Sequence, residues 1–217
     1  MSRDVEFRAL LRAYRSGIIS EASFESEMAA LEGNGAAHNG HTAGFKAFGR
    51  TYRNERAAVI SFLDKVRAGE ANGGEAFAAW AKACTTDCIR SGLRMVAERE
   101  AYHSRVFAHR LAELGGEQRA NTSEDGRRYT AYLGDPAIPD NEKLLSFTKR
   151  VGKPEDAIQP ICDFAALLKE DMDTKEALRL FAEDELSTAK WIWDSCAALN
   201  APAQKSEQPA RAMRPSA

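Results

Sequence analysis

The sequence predicts an all-α fold, on two observations. Three stretches repeat apolar residues at alternating steps of four and three: Phe45, Phe48, Tyr52, Val59, Phe62 and Val66; then Leu93, Val96, Phe107, Leu111 and Leu114; then Leu178, Phe181, Ile192 and Leu199. That spacing places the side chains on one face of an α-helix. Between the stripes stand glycine and proline clusters that stop helices, GEANGG at 69–74, Gly115-Gly116 and Gly152 to Pro154.

At 217 residues, 44% hydrophobic and 29% charged, the chain is long enough for one main buried domain with appendages. Its formal net charge of -2 supplies no basic field for nucleic acid or an anionic membrane surface. No run reaches the roughly 18 to 20 apolar residues of a membrane span. The opening MSRDVEFRALL also lacks the apolar core of a secretory signal, so a cytoplasmic location is expected. Cys84, Cys88, Cys162 and Cys196 are too few and dispersed for a disulfide framework. Cys84 and Cys88 are four apart, and packing residues are expected there rather than a redox pair or soft-metal site.

Residues 1–32 read as a helical hairpin around Ser16-Gly17, with Phe7, Leu10, Leu11 and Tyr14 on its first apolar face and Ser20 opening its second helix. This element resembles the short two-helix modules of the SHOCT type. It is too small to bury its stripe alone, so it is expected to dock on the main domain or to assemble a homo-oligomer. Residues 33–44 form a Gly/Asn-rich linker in which His38 and His41 are expected to be solvated.

The main domain, 45–200, is expected to begin with a helix from Phe45 to about Val66, stopped by GEANGG. A second helix then runs from Glu75 to Leu114 with a break around Thr85 to Gly92. Residues 117–140 read as a long excursion. Short helices follow at Asn141 to Val151 and from Glu155 to about Asp171, and a last helix extends from Asp173/Thr174 to Asn200. Residues 201–217 have no apolar period and read as a disordered tail.

The chemistry lies where the stripes are interrupted. Glu55 falls within the first, Glu100 and His103 within the second, and Glu185 and Thr188 within the third. Burying three unpaired carboxylates is costly, because each is desolvated and they repel one another. A divalent or trivalent cation removes that conflict, and carboxylate oxygens with an imidazole suit iron, manganese or zinc. The alternative is a metal-free scaffold whose acids are protonated, or paired with Arg56, Arg99 or Arg105.

On Glu55, Glu100-Ala101-Tyr102-His103, the RLAELGG ending and Glu185, the chain resembles the ferritin-like superfamily, in particular rubrerythrin-like bundles. The resemblance implies an antiparallel four-helix bundle. It also implies a metal site of Glu55, Glu100, His103 and Glu185, with iron-dependent chemistry towards oxygen or peroxide. Thr188 stands where the family places a second histidine, and the third helix offers only Asp163 or Glu155. A single-metal or asymmetric site is therefore expected. The Cys-x-x-Cys pair of a rubredoxin-like electron relay is absent from the chain.

Overall fold

The computed structural model describes residues 44–201 and, ahead of them, the separate positions Leu10, Leu11, Tyr14, Phe24, Glu25 and Met28. The expectations for the linker histidines His38 and His41, for most of the hairpin 1–32 and for the tail after 201 lie outside the described residues. The elements in order are β1 (Phe45–Ala47), β2 (Arg50–Tyr52), α1 (Glu55–Ala83), α2 (Asp87–Glu113), α3 (Glu124–Gly134), α4 (Asp140–Val151), α5 (Pro154–Leu167) and α6 (Met172–Asn200). The class is all-α apart from the small β-hairpin.

That hairpin corrects the first expectation. Phe48 and Gly49 have φ of 52° and 75°, the left-handed pair that a tight two-residue strand connection needs, and Phe45 pairs with Tyr52 across the ladder. The helix-like spacing arises because rings from a strand and a turn converge on one core. Phe48 stacks on Phe62 at 5.4 Å between centroids and meets Phe164 at 5.0 Å. The helix begins only at Glu55, where the Asn54 side chain accepts a hydrogen bond from Ala57 N at 2.9 Å. Leu10 is buried against Phe48 with Tyr14, Phe24 and Met28 around it, so this part of the N-terminal segment docks on the β-hairpin.

α1 runs unbroken through 69–74, where the glycines suggested a stop. The three mid-helix glycines there cost roughly 1 kcal/mol each in propensity, but Gly73 and Gly74 admit a neighbouring helix. A Cβ at Gly73 would lie 2.5 Å from Glu100 Oε2, and one at Gly74 would lie 3.2 Å from the backbone of Ala97 and Ala101. The chain does break at Cys84 to Thr86, within the expected region. α2 returns antiparallel to α1, so that Arg56 donates to the Leu114 carbonyl at 2.8 Å. Its end is a Schellman motif in which Gly116 N donates to Leu111 O and Gly115 N to Ala112 O, both at 2.8 Å.

The 117–140 excursion contains a helix, α3, capped by Ser123 and packed along α1, with Leu133 buried. It is eleven residues long and buries one side chain fully, too little to show as a sustained period. α4 and α5 form as expected, divided at Gly152 (φ 82°). Both run antiparallel to α1: Phe147 meets Phe77 at 6.1 Å, and Phe164 meets Phe62 at 4.6 Å. α6 runs antiparallel to α2, with Phe181 against Phe107 at 4.9 Å and Trp191 lying over Gly92.

These contacts make two apolar cores. One gathers Phe62, Phe107, Phe164 and Phe181; the other gathers Trp80, Leu93, Leu133, Leu144 and Ile192. A polar layer lies between them on α1, α2 and α6. Among the described residues no helix is long and apolar enough to cross a membrane.

Candidate metal centre

Each side chain of the layer is set by helical phase. Along α1, Leu63, Val66, Glu70, Gly73, Phe77 and Trp80 continue the four-three stripe straight through the glycines, which turns Glu70 inward. Along α2, Glu100 and His103 are buried as their spacing predicts. Along α6, Glu185 is half-buried and Thr188 buried.

Glu70, His103 and Glu185 offer ligand atoms that all lie within 4.8 Å of one another. His103 Nδ1 lies 3.3 Å from Glu70 Oε2 and 3.6 Å from Glu185 Oε1. Donor pairs subtending 90° to 110° at an ion about 2.1 Å away are separated by about 3.0 to 3.4 Å. The 3.3 Å gap falls in that range and the 3.6 Å gap lies just beyond it. The other ring nitrogen, Nε2, lies 3.0 Å from Asp184 Oδ2. A proton on Nε2 donated to Asp184 leaves the Nδ1 lone pair facing the two glutamates, the arrangement that metal-ligating histidines adopt.

The electrostatics agree with the geometry. Burial pushes Glu70, Glu100 and Glu185 well above the ordinary carboxylate range, and their mutual repulsion adds to it. Glu70 and Glu100 hydrogen-bond each other, an arrangement that holds a proton between them. Burial also lowers the His103 pKa, against the pull of Asp184, which favours neutral imidazole. Glu185 Oε1 is enclosed and has no hydrogen-bond partner. An orphaned acceptor of this kind costs about 1 to 3 kcal/mol unless something meets it.

Glu55, the carboxylate expected from α1, is not in this layer. It lies fifteen residues before Glu70, about 22 Å along the helix axis. Its oxygens accept from the backbone N–H groups of Lys169, Glu170 and Asp171 at 2.8, 2.9 and 2.8 Å. Burial alone would raise its pKa, but these donors more than offset that and hold the carboxyl below its ordinary value. Glu55 is a clasp between the start of α1 and the start of α6. Glu70 takes its expected place beside the imidazole; the stripe through the glycines was the signal for it.

The remaining candidates also separate. Asp163 accepts from Gln159 at 2.8 Å, and Glu155 is exposed. Neither belongs to the cluster. Tyr102 is exposed, and Arg105 projects from the outer face of α2. Arg56 is turned to the Leu114 carbonyl. Arg99 alone of the three arginines reaches the layer: its guanidinium donates to Thr188 Oγ1. Cys84 is buried and donates to Thr86 O and to Asp140, whereas Cys88 is exposed.

A cavity of about 670 Å³ opens onto the layer, with Glu100, Glu185 and Thr188 in its lining. No family model matches the chain, and neither the curated proteins nor the solved structures contain a significant match to it.

Proposed function

We propose that the chain is a metal-binding protein of ferritin-like architecture, holding one transition-metal ion between Glu70, His103 and Glu185 with Glu100 beside them. The observation that carries this reading is the imidazole, whose Nδ1 faces two inward carboxylates while Nε2 is fixed by Asp184. Hard oxygen donors with one nitrogen favour iron, manganese or zinc over thiolate-seeking metals. Helix directions support the architecture: α1 and α6 run one way, while α2 and the broken α4–α5 run the other, as a four-helix bundle with a long crossover requires.

One ion is favoured over two. A second centre would use Thr188, a poor ligand, and Arg99 already places a fixed positive charge there. The break at Gly152 interrupts the helix that would carry a fourth carboxylate. Iron bound here would supply one-electron chemistry towards oxygen or peroxide. His103 and the glutamates would hold the ion, and Asp184 would keep the imidazole oriented.

A scaffold without metal is the second reading. Proton sharing between Glu70 and Glu100 favours it, because the pair then satisfies itself. The partnerless Glu185 Oε1 weighs against it. Elemental analysis of the protein expressed with iron, manganese or zinc supplied separates the two. The expected result is one ion per chain, lost in a Glu70→Ala/His103→Ala variant whose helical circular dichroism is retained. Less than 0.1 equivalent of every metal in the parent protein, about a tenth of the expected occupancy, would leave the scaffold reading standing.

A further inference from the structure

The cavity beside the layer has two chemically different ends. Its lining includes the buried Glu100 and the half-buried Glu185 and Gly73. Its walls include Phe77, Leu133 and Phe147, apolar side chains from three helices. Its mouth is marked by exposed lining residues at the end of α4 and the break after it, Lys149, Arg150 and Gly152. Gly152 has φ of 82°, so the backbone turns aside there instead of continuing a helix across the opening.

Two cations at this end lack an ion-pair partner among the described residues, and a buried hydroxyl near them lacks a hydrogen bond. The Arg150 guanidinium lies 4.6 Å over the Tyr129 ring, and neither it nor Lys149 has a carboxylate partner among the described residues. The Tyr129 hydroxyl is enclosed without a hydrogen-bond partner. Burial pushes its pKa up to about 12, so it remains a donor at neutral pH. The one acid at the mouth, Asp156, accepts from Lys153 N at 3.1 Å and caps α5. Two cations without a carboxylate partner attract an anion, and the apolar walls behind them attract a hydrocarbon body.

We propose that this cavity binds a small organic carboxylate, its anionic group held by Arg150 and Lys149 and its apolar body lying along Phe77, Leu133 and Phe147 towards Glu185. This deepens the metal reading by naming the substrate class of the same site. It depends on that reading only for what the far end of the ligand meets. An inorganic anion would leave the walls unused, and a neutral hydrocarbon would leave the cations unpaired.

The test is calorimetric titration of the full chain, metal-free and manganese-loaded, with benzoate and hexanoate as probes. Benzamide and inorganic phosphate serve as counterparts. Both carboxylates are expected to bind at least tenfold more tightly than benzamide or phosphate. Arg150→Gln is expected to weaken them about tenfold, with Arg105→Gln, outside the cavity, unchanged. Equal binding of benzamide and benzoate, or benzoate affinity indifferent to Arg150→Gln, would overturn the proposal. Affinity that requires manganese but not Arg150 would overturn it too, by placing the carboxylate on the ion. Arg150-dependent binding in protein that takes up no metal would sustain this inference while the metal reading fell.

Discussion

Buried acids occur in two settings here, at the helix ends and in the middle of the helices, and the two behave in opposite ways. At the ends, Glu55 meets three backbone N–H groups. Asp140 accepts from Trp80 Nε1 at 2.8 Å, Thr85 N at 3.0 Å and Thr86 N at 2.9 Å. Burial opposes ionisation of both, but the donors win: Glu55 falls below its ordinary value and Asp140 drops to about 2. In the middle, Glu70, Glu100 and Glu185 face one another and an imidazole, with their own helix N–H groups already engaged. Their pKa values rise instead. Burial of a carboxylate is thus no sign of a metal site. What distinguishes the two settings is whether fixed donors already meet the charge.

The largest effect expected from this contrast is on stability at the ends. Glu55→Ala leaves three N–H groups without an acceptor and is expected to cost about 3 kcal/mol, lowering Tm by roughly 6 to 12 °C. Its metal content should equal that of the parent protein, because Glu55 is remote from the layer. A loss of metal in this variant, with the fold intact, would break the distinction.

A smaller effect is expected at the layer. Asp184→Asn changes the group that orients His103 and is expected to weaken manganese or zinc about tenfold, with little change in Tm. An unchanged affinity would show that Asp184 does not position the imidazole.

A pH dependence is expected from the other helix-end acid. Since Asp140 has a folded pKa below its unfolded one, its contribution is present above the ordinary value near 3.8 and is lost as pH falls towards 2. Acid denaturation of the parent protein should steepen in that window, and Asp140→Asn should flatten it. Denaturant melts at pH 2, 3, 4 and 6 measure the slope.

Much of the fold was legible locally because its signals are local. The Schellman ending at Gly115-Gly116, the division at Gly152 and the start of α6, where Asp171 accepts from Thr174 N at 2.9 Å, follow from the chemistry of neighbouring residues. The β-hairpin and the continuity of α1 depart from the sequence expectation for a common reason. Phe45 and Phe48 meet Phe164 from a distant part of the chain, and Gly73 meets Glu100. A glycine that ends a helix and one that admits a neighbour look alike until the neighbour is known.

Periodicity determines that Glu100, His103, Glu185, Thr188 and Glu55 face inward; the expected stop at 69–74 hides Glu70, which the unbroken α1 turns inward as it does Glu55. Those two lie about 60° apart around the helix, so both can point to the interior. Only the tertiary structure decided between them. Helical phase specifies an angle around an axis, whereas a shared site also requires a common height along it. That height is set by how α1, α2 and α6 slide against one another, which the close contact of Gly73 and Gly74 with α2 fixes.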